Sequence, residues 1–158
     1  MRSKRLPPAP APASVAVSAA MRGNRSKDTR PELAVRRVLF KMGYRYRLHR
    51  PGLPGRPDIA LPGRRKVVFV HGCFWHQHPS KDCPLRTSPK SNRRYWTAKL
   101  SLNQRRDRIV MQQLAKAGWK ALIVWECQID DTSALARRLE TFLRSRMLCL
   151  RRKRKRVQ

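Results

Sequence analysis

Within the stretch His71-Gly-Cys-Phe-Trp-His-Gln-His78, followed by Cys83, the residue types are those that hold metals or move protons near neutral pH. Cys73, His78 and Cys83 stand in one segment with four residues between each, and Cys127 comes from a distant one, completing a Cys3His set. Thiolates and imidazole in tetrahedral geometry suit Zn2+, and four protein ligands leave no position for substrate, so such a metal is structural. The spacing is not a C-x2-C knuckle, and two exchanges stay open: His76 for His78, and Cys149 for Cys127. The plainer alternative is buried free thiols and surface histidines.

A second set could hydrolyse a phosphodiester. That reaction needs a carboxylate to hold Mg2+, which stabilises developing phosphate charge and activates water, and groups that shuttle protons. Asp58 suits the first task, His71 and His76 the second, and Glu32 adds a further acid. Each has an ordinary role as well: Asp58 as a turn cap, Glu32 as the complement of a helix dipole, either histidine as a zinc ligand.

The charge indicates the substrate. Among 158 residues, 38 Lys and Arg face nine Asp and Glu, a net charge of +29. The ends do not explain it, because residues 21–150 still hold 29 basic against all nine acidic residues. An excess of this size opposes compaction unless a polyanion shares the neutralisation, and nucleic acid is the leading polyanion. No apolar run approaches the roughly 20 residues of a membrane-spanning helix, so no membrane role is expected.

The elements must bring these residues together. Thr29-Arg-Pro-Glu32 opens a helix whose apolar stripe is Val35, Val38, Leu39 and Met42, stopped by Gly43. Tyr44, Tyr46 and Leu48 alternate as in a half-buried strand, and Pro51-Gly-Leu-Pro-Gly-Arg-Pro57 forms a tight loop. Asp58–Leu61 and Lys66–Val70 predict a hairpin about Pro62–Arg65, which sets Asp58 beside Val70 and His71 because the strands run antiparallel. Residues 71–91 follow neither period and form a loop that needs an organiser. A polar helix then spans about Asn92 to Ala117, with Trp96, Leu100, Val110 and Leu114 inward and Gly118 at its end. Trp119–Trp125 predicts a buried strand, and Asp130, Asp131 and Thr132 start a last helix that packs through Leu135, Leu139, Phe142 and Leu143. The pattern is α/β. Residues 1–20, rich in Pro and Ala, predict a disordered leader, since prolines break the apolar run of a signal peptide; Met21 is an alternative start. Residues 21–148 form the domain and 149–158 a basic tail. Nothing supports export, which argues against disulfides.

The motifs Thr29-Arg-Pro-Glu32, Pro54-Gly-Arg-Pro-Asp58, Val70-His-Gly-Cys-Phe-Trp-His76 and Val124-Trp-Glu-Cys127, in that order, resemble those of the very-short-patch repair (Vsr) mismatch endonucleases, over about residues 21–129. The resemblance implies a restriction-endonuclease-like core, a central mixed sheet flanked by helices, with a structural zinc. It implies a Mg2+-dependent enzyme that nicks one strand of duplex DNA beside a T:G mismatch, the lesion left by deamination of 5-methylcytosine, so that a short patch is resynthesised. Asp58 and the backbone carbonyl of Val70 would hold Mg2+, with His71, His76 and Glu32 orienting water or transferring protons. Zinc would lie on Cys73, His78, Cys83 and Cys127. Position 70 departs from the family: Val stands where related nucleases carry an acid or Thr, a change that a carbonyl ligand survives.

Phe74, Trp75 and Trp96 would insert into the base stack beside the mismatch. A T:G pair is weakly held, and aromatic stacking offsets an unstacking cost of a few kcal/mol. Arg93, Arg94, Arg105 and Arg106 contact phosphate or stay solvated. The family further implies a monomer on nucleoid DNA in the bacterial cytoplasm, cooperating with mismatch-repair proteins and a cytosine methyltransferase. Two rivals remain: a basic zinc protein that binds nucleic acid without cutting, and a general restriction-type nuclease that cuts matched duplex.

Overall fold

The first helix among the described residues, α1 (Arg30–Lys41), begins where the sequence predicts. The Thr29 side chain accepts the Glu32 N–H and its hydroxyl donates to Glu32 Oε1 at 2.9 Å, while Pro31 occupies the first turn. Val35, Val38 and Leu39 are buried, and Gly43 leaves the helix at φ +81°, which a side chain disfavours. This computed structural model describes residues 6–8, 10 and 27–145. Most of the leader, together with Met21, Cys149 and the basic tail, therefore lies outside the described residues.

Four strands follow: β1 (Arg47–Leu48), β2 (Ile59–Leu61), β3 (Lys66–His71) and β4 (Lys120–Trp125). They form one sheet in the order β1-β2-β3-β4, antiparallel at the first two pairings and parallel between β3 and β4. The β2–β3 hairpin forms as expected, with Ile59 opposite Val68 and Leu61 opposite Lys66. A parallel partner requires a crossover, and the long helix α2 (Arg93–Lys116) supplies it. The last helix, α3 (Thr132–Arg144), is capped by the Asp131 side chain on the Ala134 N–H at 2.8 Å.

Alternation along the strands divides the core between the two faces. Ile59, Leu61, Val68 and Val124 pack with Val35, Val38 and Leu39 of α1 and Leu135, Leu139 and Leu143 of α3. Ala60, Val67 and Phe69 pack with Val110 and Leu114 of α2. A mixed sheet with helices on both faces agrees with the α/β expectation.

Three expectations need correction. The strand read over Tyr44–Leu48 shrinks to Arg47–Leu48, and Leu48 is exposed: at the sheet edge it has only the first two residues of the short β2 to pair with. The strand read as buried, β4, is an outer strand paired to β3 alone; it is half-buried except at Val124, and Trp119 precedes it. β3 also runs one residue further than expected, so His71 belongs to the strand.

Lys66 was not anticipated as an organiser. It is buried at the start of β3, and its Nζ donates to the carbonyls of Phe142, Leu143 and Ser145, each at 2.7 Å. These belong to the end of α3, where carbonyls lack helical partners and the dipole is negative. Burial, with Lys120 and Arg64 nearby, lowers the ammonium's pKa below its usual value. Among the described residues no helix is long and apolar enough to cross a membrane.

Candidate active site

β2 starts at Ile59, opposite Val68, so Phe69, Val70 and His71 extend beyond it. Asp58 takes over the pairing there, its Oδ2 accepting the Val70 N–H at 2.7 Å. The expected neighbourhood of Asp58, Val70 and His71 is thus present. The loop before it is seated by Gly55 at φ +74°, where an added Cβ would collide with the Val110 side chain of α2. Burial raises the Asp58 carboxyl above its usual pKa, the Val70 hydrogen bond opposes this, and nearby Glu32 adds to the rise.

His71 and His76 come together although one ends a strand and the other lies in the following turn. Their rings stack at 3.7 Å between centroids and 15° between planes. His76 Nδ1 lies 2.6 Å from Asp107 Oδ2 on α2. Burial, then the neighbouring His76 and Arg106 charges, push His71 down to about 4 against the pull of Asp107, so its imidazole is neutral at pH 7. Its Nδ1 is buried without a hydrogen-bond partner among the described residues. Desolvation would raise Asp107, but the His76 hydrogen bond and the charges of His76, His71 and Arg106 outweigh it and hold the carboxyl below its usual value.

Glu32 faces the same site from α1. Its Oε2 accepts the Asp28 N–H at 3.1 Å and Arg36 Nη2 at 2.9 Å, and its Oε1 accepts the Thr29 hydroxyl. Together these groups line a cleft of about 940 Å³ whose walls include Asp28, Glu32, Asp58, Asp107, Glu126 and Trp75. Five of the nine acidic residues of the chain therefore face one cleft in a protein of net charge +29. Sequence reasoning missed Asp28, Asp107 and Glu126. Rarity was the available signal, since Asp107 is the only acid between Asp82 and Glu126. Arg106 also lines the cleft, and Arg93 lines a smaller pocket with Gln77, Arg86 and Gln104.

The sulfurs of Cys73, Cys83 and Cys127 lie within 4.8 Å of one another. Two Zn-bound thiolates in a tetrahedron stand about 3.8 Å apart, a separation that falls within this bound. Burial pushes Cys73 up to about 12 and raises Cys127. Against desolvation, the Leu85 and Arg86 amides and the other two thiols hold Cys83 below its usual value. Three thiols so close cannot all ionise unless a cation shares the charge. His78 is buried, with its ring edge-on to Trp125 at 4.6 Å, and its Nδ1 accepts the Ser80 N–H at 3.2 Å. That hydrogen bond occupies the Nδ1 lone pair, so ligation through Nδ1 would require it to break, and His78 does not gather with the three sulfurs as the sequence predicts. His76 is engaged with His71 and Asp107 instead.

Phe74, Trp75 and Trp96 gather into one half-buried cluster, with ring separations of 5.0, 5.5 and 5.9 Å. None belongs to either core cluster. Two neighbours from α2 were not foreseen: Tyr95 packs on Trp96 at 5.3 Å, and Asn103 Nδ2 donates to the Trp75 carbonyl at 3.0 Å. Lys99 Nζ lies over the same rings, within 5.8 Å of Trp75, Tyr95 and Trp96.

Clustered carboxylates beside stacked imidazoles, on a strongly basic α/β domain, have the chemistry of a phosphodiester hydrolase for nucleic acid. Comparison with known proteins makes the assignment specific. Residues 14–83 match the family model of the DNA mismatch endonuclease Vsr. The chain is 50% identical over 119 residues to the type II nicking enzyme V.XorIIP of Xanthomonas oryzae pv. oryzae, covering 75% of this chain and 85% of that one. It is 37% identical over 128 residues to the DNA mismatch endonuclease Vsr of Escherichia coli K12, covering 78% and 80%. The chain belongs to the Vsr family of DNA endonucleases.

Proposed function

We propose that this protein nicks one strand of duplex DNA beside a T:G mismatch produced by deamination of 5-methylcytosine, and so starts very-short-patch repair. The observation that carries this reading is the concentration of five of nine acids around the stacked His71–His76 pair in one cleft. A carboxylate whose pKa is raised by desolvation and by another acid, as at Asp58, is one that a divalent cation relieves. Mg2+ held by Asp58 and the Val70 carbonyl would neutralise phosphate charge and lower the pKa of water. The Val70 N–H points at Asp58, and in an extended strand a residue's carbonyl leaves on the same edge, which favours it as the second donor.

His76 is the proton acceptor in this scheme. With Asp107 ionised, the proton on His76 sits on Nδ1, and Nε2 is left to take a proton from water. His71, kept neutral by burial, packs against His76 and fixes the ring. Glu32, which lines the same cleft, orients water.

Zinc on Cys73, Cys83, Cys127 and His78 would tie the irregular loop to the end of β4. The loop carries Phe74 and Trp75, so its rigidity is what a wedge into the base stack requires, with Trp96 beside them. We assign residues 21–148 to a restriction-endonuclease-like domain, acting as a monomer in the bacterial cytoplasm on nucleoid DNA, alongside mismatch-repair proteins and a cytosine methyltransferase.

The test is nicking of a labelled duplex series differing only at the T:G pair, with and without Mg2+. One strand should be cut beside the mismatch, and Asp58→Ala should abolish cutting. Equal cutting of matched duplex would indicate a restriction-type nuclease. An intact T:G duplex would leave a basic zinc protein that binds nucleic acid without cutting, and an Asp58→Ala variant as active as wild type would remove Asp58 from the chemistry.

A further inference from the structure

Arg36 lies on α1, one turn beyond Glu32, with only 8% of its side chain exposed. Its Nη2 donates to Glu32 Oε2 at 2.9 Å and its Nη1 to Asp28 Oδ1 at 2.5 Å. Nη2 also lies 3.4 Å from His49 Nε2. The His49 N–H in turn donates to the Asp58 carbonyl at 3.4 Å. One guanidinium therefore joins the segment before α1, the helix itself and the turn that leads to Asp58.

Stability alone does not account for this choice. Arg36 Nε is buried without a hydrogen-bond partner among the described residues, an arrangement that carries a desolvation penalty. Apolar residues of similar volume often replace a buried ion pair without loss of stability. The helix already has a cap at Thr29 and an apolar face of Val35, Val38 and Leu39. What an apolar side chain could not do is bridge Asp28 and Glu32, whose carboxylates lie close together at the wall of the cleft.

The effect on Glu32 is specific. Arg36 and the Asp28 N–H both engage Oε2, while the Thr29 hydroxyl engages Oε1, so the carboxylate cannot rotate and its spare acceptor capacity is greater on Oε1. We propose that Arg36 is a positioning residue for strand cleavage: its guanidinium fork holds Glu32 in one orientation toward the cleft and keeps Asp28 from displacing it. The inference rests on the role proposed above for Glu32 in orienting water. Lysine could supply the charge but not the planar fork that reaches both carboxylates.

The experiment is a double-mutant cycle in single-turnover nicking of a T:G duplex, with duplex affinity measured alongside. Arg36→Met and Glu32→Gln should each slow the chemical step by about 10- to 100-fold with affinity unchanged, the range for losing a group that orients another. The double variant should be no slower than the slower single variant, because both remove the same interaction. Arg36→Lys should remain slow despite its charge, and it carries the cycle if Arg36→Met does not fold. Losses that multiply in the double variant would overturn the proposal, as would full activity of Arg36→Lys, or of Arg36→Met beside a slow Glu32→Gln. A Glu32→Gln variant as fast as wild type would instead overturn the role of Glu32 itself.

Discussion

Asp107 is an acid on a helix otherwise rich in Arg and Lys, and its carboxylate is hydrogen-bonded to His76. It fixes the tautomer of His76, so Asp107→Asn should keep the fold and slow nicking by at least about 100-fold, the scale of general acid–base catalysis. A wild-type rate in that variant would remove His76 from the proposed chemistry. The same residue makes a pH prediction. Its folded pKa lies below the unfolded value, so it contributes stability above the unfolded value of about 3.9, and this is lost as pH falls through the folded one. Urea titrations between pH 5 and 2 should show a shallower acid loss for Asp107→Asn than for wild type.

Two elements are held to the sheet by single residues. The end of α3 rests on the Lys66 ammonium, so Lys66→Met should destabilise the fold by about 1–3 kcal/mol, the scale of leaving buried acceptors without their donor. A denaturation midpoint equal to wild type would mean that water replaces the ammonium freely. The loop before Asp58 rests on Gly55 against Val110. Gly55→Ala adds a methyl group to a filled space at positive φ, and should cost about 1–3 kcal/mol. Because that loop ends at Asp58, nicking should fall more than the stability loss explains; proportional losses would assign Gly55 to packing alone.

The whole molecule places a small acidic cleft in a basic body. Cys73 and Cys83 are buried and Cys127 is half-buried, and an ion on their sulfurs would join the aromatic loop to the end of β4. Metal analysis of purified protein should therefore find about one Zn per chain. Cys127→Ser should lose it, lower the unfolding temperature, and weaken the preference for T:G over matched duplex, since the wedge is no longer held. Folded, metal-free wild-type protein with full mismatch preference would refute the zinc site.

The sequence alone determined the parts of this protein that local physics controls. Capping residues and apolar spacing marked α1 and α3, and the hairpin pattern brought Asp58 beside Val70 and His71, because pairing geometry admits no other arrangement. The motif resemblance named the family that the comparisons support. Short-range pattern could not see contacts made by residues far apart in the chain. Asp107 meets His76 across 31 positions and Lys66 meets Leu143 across 77, and neither has a periodicity that announces its partner. The exposed edges at β1 and β4 had the same cause, since burial of a strand depends on which neighbours cover it. The acids that sequence could count but not place come from the segment before α1, from α2 and from the end of β4, and only the tertiary fold made them one cleft.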